Sequence, residues 1–358
     1  VINLTVDKAR PVQLVEDDAM DAEIEAVQEA LIMETYIDQL FTDDVFLEGI
    51  RKFGVEKVRK VGDFENYVFE GVRGSRNVIL RFTHSSHRDY EEVASELDWL
   101  MFLSGKGAGV SPALTSVEGR LIETAAVKDS TFYVTLFEKA QGSPVKIKEK
   151  LEDIRLIHAW GRETGRLHRL TKQYKPPAHI RKRADLVESF ETQFAPFLPH
   201  GDKKIVWQIR NVIDTLKQIP KTHNRYQLIH TDLHSGNFFY DGSTINIFDF
   251  DDSAYHFLAS DIAIPLYYSM LHIQDDHARA EKAKRFLSRF MQGYTQYSEM
   301  PPQLFKDLPH MLRFRDCELF GVLHKKWDVE NLTPERRQFL NGIRSRLESG
   351  RAIVTIQI

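Results

Sequence analysis

The chain has 358 residues, a formal net charge of −4 and a single cysteine, Cys317. That length suits two lobes around a cleft, and the charge balance gives no polyanion-binding signature, so nucleic acid is not the expected partner. One cysteine excludes an intramolecular disulfide and fits a reducing cytoplasm, no apolar run approaches the roughly 20 residues of a membrane span, and no secretory pattern is read at the start.

In chain order, residues 1–45 read as a helical extension. Glu16 to Glu34 is acidic with Ile24, Val27 and Leu31 at helical spacing, which predicts one amphipathic helix on the outside of a first lobe. Lys57 to Val72 predicts two strands with Gly62 to Asn66 at the tip of their turn. Asn77 to Phe82 predicts a third strand, carrying Arg81. Asp89 to Ser104 predicts a helix, since Tyr90, Val93, Ala94, Leu97 and Leu100 share one face. Glu96 lies on it, with Glu91 and Glu92 as competing carboxylates. His84 and His87 precede it and read as surface residues. Val110 to Ala113 predicts a turn. Ser116 to Thr124 and Ser130 to Phe137 predict strands, and the chain breaks at Gly142. The stripe Ile157, Trp160, Gly161, Thr164, Leu167, His168 predicts a helix over Ile154 to Thr171, ended by Tyr174 to Pro177. Helices follow over Leu186 to Phe197 and Lys204 to Gln218. The basic clusters Lys146 to Lys150 and Arg181 to Arg183 read as solvated faces.

The stretch His230 to Asp252 carries the chemistry. Asp241-Gly242 between two apolar-rich runs predicts a hairpin with a two-residue turn. The hairpin brings Asn237 and Asp249 together. A carboxamide and a carboxylate are hard oxygen donors, suited to magnesium bound with a nucleoside triphosphate. Asp232, just upstream, is placed to take a proton from an attacking hydroxyl. An i, i+4 metal pair of His230 and His234 would need a helix here, which Gly236 and the following aromatic strand argue against.

The pattern H-T-D-L-H-S-G-N, followed by D-F-D at Asp249, resembles the aminoglycoside phosphotransferase and choline kinase superfamily of kinase-like folds. The resemblance runs from about Lys57 to about Asp328. It implies an α+β, bilobal protein-kinase-like fold: an antiparallel-sheet N-lobe with one main helix over 46–137, a hinge over 138–142 and a mostly helical C-lobe over 143–358. It implies an ATP- and Mg2+-dependent kinase, with GTP as an alternative nucleotide, acting on a hydroxyl of a small-molecule acceptor. Asp232 is then the catalytic residue, and Asn237 and Asp249 hold the metal. Arg81, where the family usually has Lys, anchors the triphosphate and pairs with Glu96. The tip at Asn66 lies over the phosphates, and backbone groups of Glu138 and Ala140 meet the adenine edge. His168 and His230 become core hydrogen-bonding residues, and Asp261 bonds the catalytic-loop backbone. Thr231 stands where most protein kinases have an Arg, and the run from Asp249 to Asp261 leaves no room for a long activation segment.

Helices are expected over Gln292 to Tyr297 and Pro301 to Trp327, walling the acceptor pocket, with residues 345–358 as a tail. Tyr268, Arg313, Arg315, His324 and Trp327 are the candidate acceptor residues by position. A protein Ser/Thr kinase, or a nucleotide-binding spore-coat-type protein that has lost catalysis, are the alternative readings.

Overall fold

A computed structural model describes residues 36–355 except 64, 200 and 300; the helix expected over 16–34 lies outside the described residues. Helix α1 (Asp43–Phe53) starts on the Thr42 hydroxyl, which accepts from the Val45 N–H, and stops at Gly54 with φ 62°. A six-stranded antiparallel sheet follows. Its strands are β1 (Glu56–Gly62), β2 (Tyr67–Arg73), β3 (Arg76–His84), β4 (Ala113–Leu114), β5 (Ile122–Val127) and β6 (Ser130–Glu138), in the order β1-β2-β3-β6-β4 with β5 also on β6. Alternation on β2 and β3 turns Phe69, Val78, Leu80 and Phe82 inward, where they meet Phe41 and Phe132 in an aromatic-rich core.

Helix α2 (Tyr90–Gly105) crosses between β3 and β4. Asp89 and Glu92 form a reciprocal capping box at its start. Its apolar face does not join the sheet core. Val93, Leu97, Trp99, Leu100 and Leu103 belong to the larger core of the second half of the chain. Trp99 Nε1–H donates to Thr171 Oγ1 at 3.1 Å, and Tyr174 O–H donates to Asp98 Oδ2 at 2.6 Å.

That second half is mainly helical. After β7 (Ser143–Pro144) and the short α3 (Ile147–Lys150) come α4 (Ile154–Thr171), α5 (Leu186–Gln193) and α6 (Lys203–Gln218). Strands β8 (Tyr226–Ile229), β9 (Phe238–Tyr240), β10 (Ile245–Ile247) and β11 (Ala254–Phe257) precede α7 (Ser260–Met270), α8 (Asp276–Tyr294), α9 (Pro302–Lys326) and α10 (Pro334–Ser349). Helices α4 and α8 touch backbone to backbone. A Cβ on Gly161 would meet the Phe290 carbonyl oxygen at 1.8 Å, and one on Gly293 the His158 carbonyl oxygen at 2.0 Å. Only glycine permits that approach.

Several expectations need correction. Residues 116–120 form a turn around the Ser116 hydroxyl, and the strand begins at Ile122. The hairpin pairs Tyr240 with Ile245, so its loop spans 241–244 and not two residues; the Asp241 carboxylate accepts from the N–H groups of Ser243 and Thr244 and replaces the tighter turn. Leu186 to Phe197 divides at Phe194 into α5 and a 3₁₀ turn containing Pro196. The helix placed at Gln292 starts far earlier, at the Asp275 cap. The tail is helix α10 through Ser349, and Ile353 and Val354 are buried beyond it. His84 is buried against Phe132, and Arg183 is not a solvated side chain but is bonded to backbone carbonyls of two elements. Strand β11 was not anticipated.

One buried group on β11 links this fold to pH. His256 is fully buried against Phe257 and Phe314, and neither ring nitrogen has a partner among the described residues. Burial pushes its imidazole down to about 4. The unfolded chain binds this proton near 6.5, so stability present above that pH is lost as pH falls toward 4. In chemical denaturation across this window, His256→Phe should remove on the order of 3 kcal/mol of the wild type's acid-induced loss. Parallel curves for the two proteins would show that the folded state tolerates this proton.

Candidate active site

The site is built on the loop between β8 and β9, and a single carboxylate sets its shape. Asp261, in the first turn of α7, is almost wholly buried. Its oxygens accept from the backbone N–H of His230 (3.1 Å) and of Thr231 (2.9 Å). His168 Nε2, on α4, reaches the same carboxylate at 3.2 Å, while its Nδ1 meets the Tyr294 hydroxyl at 2.9 Å. Burial opposes ionisation of Asp261, but the His168 bond and the loop amides outweigh it and hold the carboxyl below its usual range. Thr231 is thereby kept at φ 66°, which a β-branched residue rarely adopts. Its hydroxyl donates to the Asp252 carbonyl at 2.7 Å and locks the turn to the next loop.

His230 is a fully buried strut. Its Nδ1 accepts from the Asp232 N–H at 3.3 Å, so Nε2–H is the donor to the Phe248 carbonyl at 3.1 Å. Phe248 in turn donates its N–H to the Asn237 carbonyl at 3.0 Å. These bonds tie the backbone beside Asp249 to Asn237. Asp249 also lies at φ 66°. The residue is exposed, yet the protein crowding around it, with the charges of Asp251 and Asp252, pushes its carboxyl up to about 8.

Asp232 is held at both oxygens. Asn237 Nδ2 donates to Oδ2 at 3.0 Å and to the Asp232 carbonyl at 2.9 Å, and the amide oxygen of Asn237 has no hydrogen bond among the described residues. Arg315, on α9, donates from Nη2 to Asp232 Oδ1 at 2.6 Å and to the Tyr268 hydroxyl at 2.7 Å. His234 Nε2 lies 3.4 Å from Oδ2. Burial would raise the Asp232 carboxyl, but the Arg315 charge and His234 hold it down at about 2. Behind Arg315, its Nη1 is 3.5 Å from Glu318, whose buried carboxyl is pushed up to about 7.

On the sheet side, Arg81 forks onto Glu96 at 2.9 and 2.6 Å, both side chains nearly buried, with the guanidinium over the Phe137 ring. Glu91 and Glu92 are not its partners. Asn66 Nδ2 donates to Asp251 Oδ2 at 3.0 Å, so this side chain points to the acidic loop. Asp251 also takes His87 Nε2 at 2.9 Å and Arg88 Nε at 3.1 Å. At the crossing between the halves, Glu138 N–H donates to the Pro112 carbonyl and Lys139 N–H to the Asn77 carbonyl. Ala140 N–H makes no hydrogen bond among the described residues.

Of the acceptor candidates, the structure brings Tyr268 and Arg315 to Asp232. It does not bring Arg313, His324 or Trp327 there. Arg313 is two residues from Arg315 and so points to another flank of α9, beside Asp316, Arg346 and Leu347. His324 Nδ1 turns back to the Phe320 carbonyl at 2.7 Å, and Trp327 packs on Phe339 and Arg336. Sequence reasoning missed Glu318, although its place three residues after Arg315 is a helical-neighbour signal. It also missed Arg88. A surface cavity of about 500 Å³ lined by Ser143, Lys146, Asp153 and Tyr240 includes none of these residues.

Against known proteins, residues 56–300 match the model of the phosphotransferase enzyme family. An amicoumacin kinase of Bacillus subtilis (strain 168) is 33% identical over 327 residues, spanning 88% of this chain and 95% of that protein. A solved amicoumacin kinase, in complex with AMP-PNP, Ca2+ and Ami, is 28% identical with a TM-score of 0.83, covering 90% of this chain and 98% of that one. A microcompartment-associated aminopropanol kinase, 20% identical with a TM-score of 0.68 over 86% of this chain and 95% of its own, shares the fold.

Asp261→Ala strands two buried N–H groups and His168, and should cost about 3 kcal/mol in chemical denaturation. Amide exchange at residues 230 and 231 should accelerate more than in α9. Exchange unchanged at those two amides would show that the loop holds its turn by other means.

Proposed function

This chain belongs to the phosphotransferase enzyme family and is a kinase of small-molecule hydroxyl groups, and on that premise we propose that it transfers the γ-phosphoryl of ATP, with magnesium, to a hydroxyl aligned by Asp232. The carrying observation is the double hold on Asp232. Arg315 takes one oxygen and Asn237 the other, so the carboxylate is ionised and fixed before any acceptor arrives. Such a group orients the acceptor O–H by accepting its hydrogen bond. It is a weak base, so it receives the proton only as the oxygen–phosphorus bond forms.

The amide oxygen of Asn237 and the carboxylate of Asp249 would hold the metal. Among the described residues no group of three or more His, Cys, Asp or Glu is arranged to hold an ion alone. That fits magnesium, which keeps waters and phosphates and takes one or two protein oxygens. When bound, the ion would offset the negative charge of the phosphates. Arg81, aimed by Glu96, supplies fixed positive charge for the triphosphate. The N–H of Ala140 and the carbonyl of Glu138 would take the adenine edge.

Amicoumacin is the first acceptor to test. The likeness to the Bacillus subtilis kinase is longer than the family match and therefore extends beyond it. No helix of the described residues is long and apolar enough to cross a membrane.

The test is a coupled ADP-release assay with amicoumacin and a panel of amino alcohols, sugars and aminoglycosides. Asp232→Asn should lower kcat on the order of 10³-fold while Mg·AMP-PNP affinity stays within twofold. Turnover that survives this change with the same acceptor would remove Asp232 from the mechanism. Release stimulated only by a protein substrate would move the reading to a protein kinase.

A further inference from the structure

We propose that Arg183 is a positioning residue for phosphotransfer, which fastens the helix carrying Glu96 to the loop that follows Asp249. The proposal rests on the reading of the cleft as a nucleotide site, and its observations are independent of that reading.

Arg183 bonds three backbone carbonyls on two elements. Nε–H donates to Ser253 at 2.6 Å, Nη1 to Glu92 at 2.9 Å, and Nη2 to Asp251. The Glu92 carbonyl is the one on which the Glu96 amide closes its helical turn, so Arg183 grips α2 one turn from the carboxylate that pairs with Arg81. A guanidinium can make all these bonds at once because its donors are fixed in one plane; an ammonium cannot. The arginine itself springs from a fixed base. Tyr255 N–H donates to the Ala184 carbonyl at 2.8 Å, Asp185 bridges Tyr255, and Lys182 sits 4.3 Å above the Tyr255 ring. Segment 181–185 is thus laid along β11.

Other contacts act in the same sense. Arg181 pairs with Asp89 at the helix cap, and Arg88 reaches Asp251 and Asp252 from the sheet side. The middle of α2 is held by the Trp99–Thr171 and Tyr174–Asp98 bonds, and its apolar face lies in the second core. The helix therefore belongs mechanically to the larger half. Arg81–Glu96 is one contact where the sheet meets it, and Tyr90 against Tyr133 is another. Arg183 links α2 to residues 251–253 from a different part of the chain.

Arg183→Gln and Arg183→Lys are compared with wild type by calorimetric titration of Mg·AMP-PNP and by amide exchange. Arg183→Gln should weaken Mg·AMP-PNP about tenfold and speed exchange at residues 92–97 and 250–254, leaving α9 as in wild type. Arg183→Lys should recover part of both. A double-mutant cycle with Glu96→Gln should be non-additive, because Arg183 acts through Glu96. Additive losses, or affinity within twofold of wild type, would make Arg183 a structural strut and overturn the proposal. If Arg183→Gln does not fold, Arg183→Lys decides by the same criteria. If wild type itself fails to bind Mg·AMP-PNP, the nucleotide reading falls, while the exchange data still judge the tether.

Discussion

Two backbone amides, at His230 and Thr231, lie in a buried turn where no neighbouring strand can receive them. The Asp261 carboxylate receives both, and His168 fixes that carboxylate from the opposite side. Everything in the cleft depends on this arrangement. It holds Thr231 left-handed, which turns Asp232 out of the core. His230 then carries the order onward to Phe248, and Phe248 to Asn237. A chain of hydrogen bonds thus converts one buried charge into the relative placement of Asp232, Asn237 and Asp249.

Around that frame the charges are unevenly settled. Asp232 has Arg315, and Asp251 has Arg88 and His87. Asp249 has neither an ion-pair partner nor a hydrogen bond among the described residues, and crowding by the protein with the charges of Asp251 and Asp252 pushes its carboxyl up. A carboxyl crowded by other carboxylates is favoured by a nearby cation, which is where the proposed function puts the metal. On the opposite wall Arg81 is spent on Glu96, which keeps its charge in place at the cost of reach. Under the proposed function, a forked, buried arginine would offer the triphosphate a rigid field with less freedom to follow it than a lysine has.

Much of this was legible in the sequence because it is local. His230 to Asp249 carries its spacing in a single hairpin, whereas the Arg81–Glu96 pair follows from the family resemblance, since helical periodicity alone leaves Glu91 and Glu92 as competitors. The residue-level reading failed where three-dimensional packing decides. Arg313 and Arg315 look equivalent in sequence, yet helical geometry sends them to different flanks. Arg183 sits in a basic cluster that reads as a solvated face. Nothing nearby reveals the carbonyls it bonds, which are distant in the chain. The 241–244 loop was misread because Asp-Gly suits a two-residue turn, whereas the Asp241 side chain stabilises a longer one by capping its own backbone.

The central claim is that this cleft moves the terminal phosphoryl group of ATP to a small-molecule hydroxyl. Phosphorus NMR on the wild-type enzyme with magnesium, ATP and amicoumacin addresses it directly, because it sees the group that moves. The account predicts that the γ-phosphate resonance decays as ADP and a new phosphomonoester resonance grow in equal amounts. A spectrum in which ATP persists, or in which inorganic phosphate appears with no phosphomonoester for any acceptor, would contradict it.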